Sequence, residues 1–322
     1  MKTIELNAYA KINLAIDILG QLPNGYHEIS TVMQLIELYD KVRVKWIPNT
    51  SSLSKQGQPA EIELGCNKRF LPLDERNLAY KAAELMSDQF NSDGRIGSGK
   101  LRIDIKKQIP VGAGLAGGSA DGAAVLLAIS KLWNLRLTIF ELCKLGEKLG
   151  ADVPFCVMGQ AKANANLLGQ ISEGGISAAT CVHATGTGTT LKPVTGIDSW
   201  LILSKPPISV STAEVYQGYD AIADEIEAHP CIEDLIKALE ENNIELMSKN
   251  MVNVLENYTR KAYSGIMYTK NKIEIETLPI KALMSGSGPT IFALYENKRK
   301  AKAAFEKMIC VNRETFLSQT II

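Results

Sequence analysis

The chain lacks the charge excess and the apolar runs that would direct it to nucleic acid or a membrane. Its 35 basic and 35 acidic side chains cancel, and no block of like charge extends beyond a few residues, so binding to either surface has little electrostatic support. The chain has no apolar run of about 18 residues, the length that crosses a membrane, and its first residues form no secretory h-region. We therefore expect a soluble, cytoplasmic protein.

Paired cysteines and internal repeats are also missing. The six cysteines are scattered along 322 residues without a C-x-x-C pair, which favours reduced thiols over a disulfide framework. Strands with glycine turns dominate the first half, and helices interleaved with short strands dominate the second. The pattern predicts an α+β protein of two domains, at residues 1–165 and 166–322.

The most informative stretch is glycine-rich and spans residues 110–121, with the sequence P-V-G-A-G-L-A-G-G-S-A-D. It follows an alternating segment, residues 101–105, whose two-residue period is typical of a strand. An alanine-rich run of good helix formers follows at residues 122–131. Glycines between a strand and a helix let the backbone approach a ligand, and the free N–H groups at the helix start favour an anion. The stretch predicts a phosphate loop, the alternative being a flexible loop without a ligand.

Two named nucleotide motifs do not fit this loop. Residues 112–117 match the dinucleotide pattern G-x-G-x-x-G, but no acidic residue for the ribose follows about 20 positions later. A P-loop needs Gly-Lys-Ser/Thr, and here Gly118 is followed directly by Ser119. The loop is therefore a phosphate loop of another kind.

Capping signals place the other elements. Thr138 and Ser211 each begin a capping box, which predicts a helix after each of them. Asp152 precedes Val153-Pro154, and we expect the proline to prevent the helix after Thr138 from continuing and to leave Asp152 on a fixed turn. Further helices are predicted at residues 77–86, 232–241, 244–256 and 298–308, and strands at residues 200–203 and 291–295.

Three separated segments together resemble the GHMP small-molecule kinases, the family of galactokinase, homoserine kinase and mevalonate kinase. Residues 110–119 resemble the family's central phosphate motif, residues 10–14 its N-terminal motif, and residues 284–290 its C-terminal glycine motif. The resemblance implies an ATP- and Mg²⁺-dependent kinase. It also implies the family fold, an N-terminal domain like the second domain of ribosomal protein S5 followed by a ferredoxin-like domain.

Finer features narrow the resemblance to kinases of one substrate. Residues 8–14, 25–28, 150–155 and 208–216 resemble the members that phosphorylate the C2 hydroxyl of a cytidine diphosphate-linked methylerythritol. Those members act in the non-mevalonate route to isoprenoid precursors. The implied partner is this small molecule, without nucleic acid or membrane, in a monomer or a homodimer.

The same resemblance assigns the catalytic pair. Asp152 is the expected general base for the acceptor hydroxyl, although an aspartate at such a position more often caps a helix or forms a salt bridge. Lys11 is its expected partner, because a cation keeps a carboxylate ionised and stabilises charge on the phosphoryl group. The alternative for Lys11 is a solvated lysine at a strand end.

Binding roles are also carried over residue by residue. The expected ATP-binding residues are Asn77, Leu78, Lys107, Pro110, Gly112, Ala113, Gly114, Leu115, Ala116, Gly117, Gly118 and Ser119. Ser119 is expected near Mg²⁺. The expected substrate-binding residues are Asn13, Tyr26, His27, Asp152, Thr212, Tyr216, Gly286 and Ser287, with the aromatic rings stacking on cytosine and the second glycine loop holding the diphosphate.

The chain departs from the family pattern at residues 159–193 and matches it weakly at residues 263–283, and two other functions stay open. About twenty extra residues, a long connection by the usual standard, lie between Gly159 and Thr180 and form either a disordered flap or an ordered excursion. Asp121 is interpreted as an acid in the first turn of a helix rather than a catalyst. The alternatives are another GHMP kinase, acting on mevalonate or homoserine, and a nucleotide-binding sensor without catalysis, against which the retained Lys11 and Asp152 argue.

Overall fold

The computed structural model describes residues 2–23, 25–49, 59–91, 96 and 98–322. Within these residues the chain forms an α+β structure. The strands are β1 (Lys2–Gln21), β2 (His27–Pro48), β3 (Glu61–Cys66), β4 (Gly99–Lys106), β5 (Cys181–Gly186), β6 (Thr190–Pro193), β7 (Trp200–Lys205), β8 (Lys281–Met284), β9 (Ile291–Tyr295) and β10 (Glu314–Gln319). The helices are α1 (Leu78–Asn91), α2 (Gly117–Leu132), α3 (Ile139–Glu147), α4 (Val153–Ala163), α5 (Ala165–Leu168), α6 (Thr212–Asp220), α7 (Ile232–Glu240), α8 (Ile244–Asn250), α9 (Glu256–Ala262), α10 (Ser264–Thr277) and α11 (Lys298–Met308).

The chain divides into two compact units that interleave along the sequence. The first unit consists of Met1–Tyr9, Tyr39–Ile109 and Gly117–Ala179, and the second of Ala10–Leu38, Pro110–Ala116 and Thr180–Ile322. The long strands β1 and β2 therefore contribute residues to both units. The domain boundary expected at residue 165 stays a prediction.

In the first unit, β4 lies between two strands and alternates as its sequence predicts. It pairs in parallel with β3 and antiparallel with the second half of β2, from Lys41 opposite Lys106 to Pro48 opposite Gly99. Leu101, Ile103 and Ile105 are buried while the residues between them are more exposed. The strand predicted at residues 101–105 is thus confirmed, with a short extension at each end.

Helix α2 is the central helix of the first unit. Twelve of its sixteen residues are buried, and it packs against α1, α3 and α4, which explains why its sequence is apolar around the whole circumference. It begins at Gly117, so the prediction that the helix starts near residue 122 was wrong. Gly117 is in the helix because a larger residue would not fit: a Cβ there would lie 2.9 Å from the Ile109 side chain. In the sequence, a glycine required by close packing cannot be distinguished from a glycine of a loop.

The stretch after Gly159 is an ordered excursion of the first unit. Helix α4 continues through Gly159 to Ala163, and the short α5 follows. The backbone N–H of Ile139, at the start of α3, donates to the Ser172 carbonyl at 2.8 Å, and Lys131 Nζ donates to the Leu168 carbonyl at 2.8 Å. These contacts attach the excursion to α2 and α3.

The second unit contains two groups of paired strands, and one of them packs on an apolar cluster. The first half of β2 pairs antiparallel with β5, and β5 pairs with β6. Strands β10, β7, β9 and β8 form an antiparallel sheet in that order. Their inner side chains, such as Ile202 and Ile291, pack with Val215 of α6, Ile273 of α10 and Met308 of α11. The helix and strand predicted at residues 298–308 and 291–295 have the bounds expected.

The single helix expected at residues 244–256 is two helices. Helix α8 ends at Asn250 and α9 begins at Glu256. The segment between them runs beside β1, because Ile16 N donates to the Val252 carbonyl at 2.9 Å and Val254 N donates to the Ile16 carbonyl at 3.1 Å. Tertiary pairing here overrides the local helical pattern.

No helix in the described ranges combines the length and the apolar character needed to cross a membrane.

Candidate active site

Lys11 and Asn13 lie two residues apart on β1 and form a buried hydrogen-bonded chain. Their side chains are 3% and 4% exposed. Lys11 Nζ donates to Asn13 Oδ1 at 2.5 Å, Asn13 Nδ2 donates to Thr31 Oγ1 at 2.9 Å, and Thr31 Oγ1 donates to the Ala15 carbonyl at 2.6 Å. Within its own unit, no carboxylate among the described residues pairs with Lys11. Its positive charge is therefore held in place by neutral groups.

The first part of the phosphate loop contacts the second glycine loop beside this lysine. Ser285 Oγ donates to the Gly114 carbonyl at 2.9 Å, and the backbone N–H of Lys11 donates to the Leu115 carbonyl at 3.2 Å. Gly114 has φ +72°, and a Cβ there would lie 2.1 Å from the Ser285 carbonyl oxygen, so only glycine fits. Gly286, at φ +58°, places its missing Cβ 3.4 Å from Lys11 Nζ. The second unit thus brings Lys11 together with both glycine loops.

The residues expected at the cytosine lie along helix α6. The rings of His27 and Tyr216 are 4.8 Å apart between centroids and tilted by 37°. His27 Nε2 lies 2.7 Å from Asp220 Oδ1, at the end of the same helix. At the start of α6, the hydroxyls of Thr212 and Ser287 are 2.9 Å apart, which links the helix to the second glycine loop. Tyr26 is two-thirds exposed, so its ring is accessible at the surface.

The residues expected near the nucleoside meet in the first unit. Asn77 precedes α1, where its Oδ1 accepts from Ala79 N at 3.0 Å and its Nδ2 donates to the Pro72 carbonyl at 3.0 Å. Leu78 lies against the start of α2: a Cβ on Gly118 would be 3.7 Å from its Cδ1. The structure therefore brings Asn77 and Leu78 to the helix end that the phosphate loop enters.

Lys107 lies below the same helix end in a buried cluster with two carboxylates. Its Nζ is 2.6 Å from Asp40 Oδ2 and 2.6 Å from Asp121 Oδ2. Asp40 Oδ1 also accepts from Gln108 N at 2.5 Å and from Ile109 N at 2.8 Å. The cluster thus joins β2, the end of β4, the lead-in to the phosphate loop and α2.

One cation faces two carboxylates in this cluster, so the cluster is neutral only when it holds an extra proton. Burial raises the pKa of Asp121 to about 8, with the Lys107 ammonium opposing and the Asp40 carboxylate adding to the rise. Burial lowers the pKa of Lys107, but the two carboxylates outweigh it and the net shift is upward. Asp121 Oδ1 has no hydrogen-bond partner in the described residues. We expect the extra proton on Asp121.

The interpretation of Asp121 as a first-turn acid was therefore wrong. Helix α2 begins at Gly117, so Asp121 lies past the first turn, and its side chain points to Lys107 instead of the helix N-terminus. The sequence contains the acid and the lysine fourteen residues apart, but nothing local shows that they pair.

Asp152 lies on a turn, as expected, and this turn forms the N-cap of α4. The helix that begins after Thr138 ends at Glu147, before the proline, as expected. Pro154 occupies the first turn of α4, a further helix that was not predicted, where its missing N–H is not needed. The Asp152 side chain is partly exposed and makes no capping hydrogen bond. Its carboxylate is thus not used for the structural role that is commonest at this position.

The structure assembles the expected site residues in two groups. The second unit joins Lys11, Asn13, Thr212, Gly286 and Ser287, and it separately joins His27 with Tyr216. The first unit joins Asn77, Leu78, Lys107 and the start of α2. Lys11 belongs to the second unit and Asp152 to the first, so the pairing of these two side chains stays a prediction.

Sequence reasoning missed the residues that support these groups. Asp220 contacts His27 from 193 positions away, and Asp40 contacts Lys107 from another strand. Asn253 and Glu256 contact the second glycine loop. These residues follow no spacing rule, and only the fold places them next to the motifs.

Comparison with known proteins agrees with the motifs. The model of the GHMP kinases N terminal domain matches residues 77–160, and that of the GHMP kinases C terminal matches residues 235–313. The chain is 42% identical over 318 residues to the 4-diphosphocytidyl-2-C-methyl-D-erythritol kinase of Clostridium botulinum (strain Alaska E43 / Type E3), covering 99% of this chain and 100% of the relative. The enzyme of that name from Alkaliphilus metalliredigens (strain QYMF) is 38% identical, covering 99% of this chain and 97% of the relative.

A solved structure extends the likeness to the fold. The crystal structure of a 4-(cytidine 5'-diphospho)-2C-methyl-D-erythritol kinase superposes with a TM-score of 0.74 at 26% identity, covering 98% of this chain and 99% of that one. The chain therefore belongs to the GHMP kinases and, within them, to the family of the 4-diphosphocytidyl-2-C-methyl-D-erythritol kinases. Its two-domain α+β fold, expected from the sequence, is confirmed.

Proposed function

We propose that this chain transfers the γ-phosphoryl group of ATP to the C2 hydroxyl of 4-diphosphocytidyl-2-C-methyl-D-erythritol, a step of the non-mevalonate route to isoprenoid precursors. The observation that carries the proposal is the buried Lys11 ammonium, which lies beside Gly286 and the phosphate loop without a carboxylate partner among the described residues of its unit. A desolvated cation between two glycine loops is suited to stabilise the charge that develops during phosphoryl transfer.

In the proposed reaction, Asp152 acts on the acceptor hydroxyl and Lys11 on the transferring phosphoryl group. The C2 oxygen bonds to the γ-phosphorus, the bond from phosphorus to the β–γ bridging oxygen breaks, and ADP leaves. Asp152 accepts the hydroxyl proton, a role for which its uncapped carboxylate is suited. Lys11 stabilises the alkoxide and the transferring group.

The residues at helix α6 are suited to bind the cytidine end of the substrate. Tyr216 and His27 offer ring faces, and stacking on a base contributes about 1–3 kcal/mol. Asp220 fixes the His27 ring through Nε2, which leaves Nδ1 for the cytosine edge. Gly286 and Ser287, near Thr212, are suited to the diphosphate.

Magnesium fits the donors at the start of α2. It prefers oxygen ligands and commonly retains waters and substrate phosphates as ligands, and the partly exposed Ser119 hydroxyl lies in the first helical turn. The described residues contain no group of three His, Cys, Asp or Glu side chains that is able to hold a metal. Ser119 would therefore hold the ion together with the nucleotide, where the ion neutralises phosphate charge. The six cysteines, all within the described residues, form no disulfide, which suits the cytoplasm that we propose as the location.

The test is ADP formation that depends on the acceptor. We expect turnover with the diphosphocytidyl alcohol and none with mevalonate or homoserine. Asp152→Asn should lower kcat at least about 100-fold, the lower end for a lost general base, with the KM for ATP little changed. Asp234→Asn, at an exposed helix start, is the matched control. Turnover of mevalonate or homoserine without turnover of the diphosphocytidyl alcohol would reject the proposed function. Full activity of Asp152→Asn would reject Asp152 as the base.

A further inference from the structure

The second glycine loop is held by side chains that come from a different part of the second unit. Asn253 lies between α8 and α9, is 2% exposed, and donates from Nδ2 to the Met284 carbonyl at 2.8 Å and to the Gly286 carbonyl at 2.8 Å. Its Oδ1 accepts from Leu255 N at 3.1 Å. Each side-chain hydrogen-bonding group of Asn253 is thus used, and both donors go to the loop.

Glu256, three residues after Asn253, binds the same loop. It accepts from the backbone N–H of Met284, whose carbonyl is bonded to Asn253. One carboxylate oxygen accepts from Met284 N at 2.5 Å, and the other pairs with Lys270 Nζ. Glu256 and Lys270 are each 7% exposed. The ion pair fixes the carboxylate in one orientation, because a buried charge is tolerated only with a partner.

The backbone around Asn253 also runs beside the strand that carries Lys11. Val252 and Val254 exchange backbone hydrogen bonds with Ile16 of β1. Asn253 is therefore attached to β1 by its backbone and to the loop of Gly286 by its side chain. The loop itself has few internal bonds, from Ser285 N to the Thr290 carbonyl and from Gly288 N to the Ser285 carbonyl, both at 3.0 Å.

We propose that Asn253 and Glu256 are positioning residues that fix the loop Met284–Gly288 relative to Lys11. They act through the loop and do not touch the substrate. The inference rests on the proposed function only in that Gly286 and Ser287 are taken to bind the phosphorylated acceptor.

The first experiment compares the KM for the acceptor substrate with the KM for ATP. Asn253→Ala should raise the KM for the diphosphocytidyl alcohol about tenfold, the factor that corresponds to about 1.4 kcal/mol, and should leave the KM for ATP within about twofold. Asn253→Asp keeps the acceptor for Leu255 N but loses both donors, so we expect it to behave like Asn253→Ala. Asn257→Ala is the control, since within the part of the chain that the structure describes Asn257 Nδ2 donates to the nearby Val254 carbonyl and not to the loop.

The second experiment tests the role of Glu256 by changing its ion pair with Lys270. Glu256→Gln keeps an oxygen for Met284 N but leaves the buried Lys270 with the longer contact to Glu274 Oε1, at 3.9 Å, in place of its close ion pair, so it should destabilise the fold. The double variant Glu256→Gln/Lys270→Met removes that charge, and we expect it to recover most of the stability and at least half of the wild-type kcat/KM. A double variant that folds but stays as impaired as Asn253→Ala would overturn the role of Glu256 as a neutral acceptor for the loop.

The third readout needs no activity and so separates this inference from the proposed function. Amide hydrogen exchange in the peptide covering residues 284–290 should become at least about tenfold faster in Asn253→Ala, while peptides of α11 stay unchanged. An unchanged exchange rate in that loop would overturn the inference, whichever substrate the enzyme uses. Faster exchange in an enzyme that does not act on the diphosphocytidyl alcohol would uphold the positioning role and reject the substrate.

Discussion

Two buried lysines, Lys11 and Lys107, are both expected site residues, yet their surroundings are opposite. Their residues are 3% and 5% exposed. Lys107 Nζ has carboxylate oxygens of Asp40 and Asp121 at 2.6 Å each. Lys11 Nζ donates to the neutral amide oxygen of Asn13 and pairs with no carboxylate described in its own unit.

The difference separates a charge that the protein neutralises from one that it leaves for a ligand. The charge of Lys107 is already balanced by Asp40 when Asp121 holds its proton, so the attraction of Lys107 for a further anion is offset by the carboxylate beside it. Lys11 is oriented by a hydrogen-bonded chain without being neutralised, so its field acts on whatever anion enters. We therefore expect Lys107 to act mainly on stability and Lys11 mainly on turnover, while the ATP contact expected for Lys107 stays a prediction.

The largest effect is expected on the free energy of unfolding, from the substitution Lys107→Met. Removing one partner of a buried ion pair leaves uncompensated charge and costs about 3–5 kcal/mol, and here the charge left is that of Asp40 beside the protonated Asp121. Urea unfolding should show this loss, and Lys106→Met, at an exposed neighbour on β4, should change stability by less than about 0.5 kcal/mol. If Lys107→Met keeps wild-type stability but raises the KM for ATP, the lysine binds nucleotide and the comparison fails.

Lys11→Met should instead lower kcat by about 100- to 1000-fold, the range for a lost group that stabilises developing charge. Because no carboxylate described in its unit pairs with Lys11, the loss of the lysine leaves no unpaired charge among those residues, and the midpoint of urea unfolding should move little. Steady-state kinetics and unfolding of one preparation measure both quantities. Lys192→Met, at an exposed lysine of β6, is the control. Equal losses of stability in Lys11→Met and Lys107→Met would remove the distinction between the two sites.

A third prediction concerns the proton of the Lys107 cluster. The pKa of Asp121 is raised from 3.8 to about 8, so between these values the folded protein keeps a proton that the unfolded chain has lost. Stability should therefore fall as pH rises through this window, by up to about 1.4 kcal/mol per pH unit from this group. Asn is neutral like the protonated acid, so Asp121→Asn should remove this contribution.

The measurement is the free energy of unfolding of both proteins at several pH values from 5 to 8. The difference between Asp121→Asn and the wild type should change steadily in favour of the variant as pH rises. A difference that is constant across this range would show that Asp121 is ionised in the folded protein throughout.

The sequence predicted what is local and missed what depends on the fold. The Thr138 capping box is present with both reciprocal hydrogen bonds, and Ser211 accepts from Glu214 N as expected, because a cap needs only residues three positions apart. The break between α8 and α9 was missed, since it follows from pairing with Ile16, more than 200 positions away.

The same distinction holds within the site. Glycine spacing identified both loops, because positive φ at Gly114 and Gly286 and their close contacts select glycine in the sequence itself. The charges around Lys107 were not predictable, since Asp40 and Asp121 lie 67 and 14 positions from it and no pattern marks the pairing. The neutrality of the Lys11 surroundings was equally invisible.

The smallest effect is expected at the far end of the chain of hydrogen bonds that orients Lys11. Thr31 accepts from Asn13 Nδ2 and donates to the Ala15 carbonyl, and Thr31→Val keeps its shape but removes both bonds. If Lys11 is held only by neutral hydrogen bonds, losing this support should lower kcat by about 3- to 10-fold, which corresponds to the net contribution of one hydrogen bond. Thr190→Val, at an exposed position of β6, is the control. A decrease in kcat as large as that of Lys11→Met would mean that Asn13 and Thr31 do more than orient the lysine, whereas no decrease would mean that the strand alone positions it.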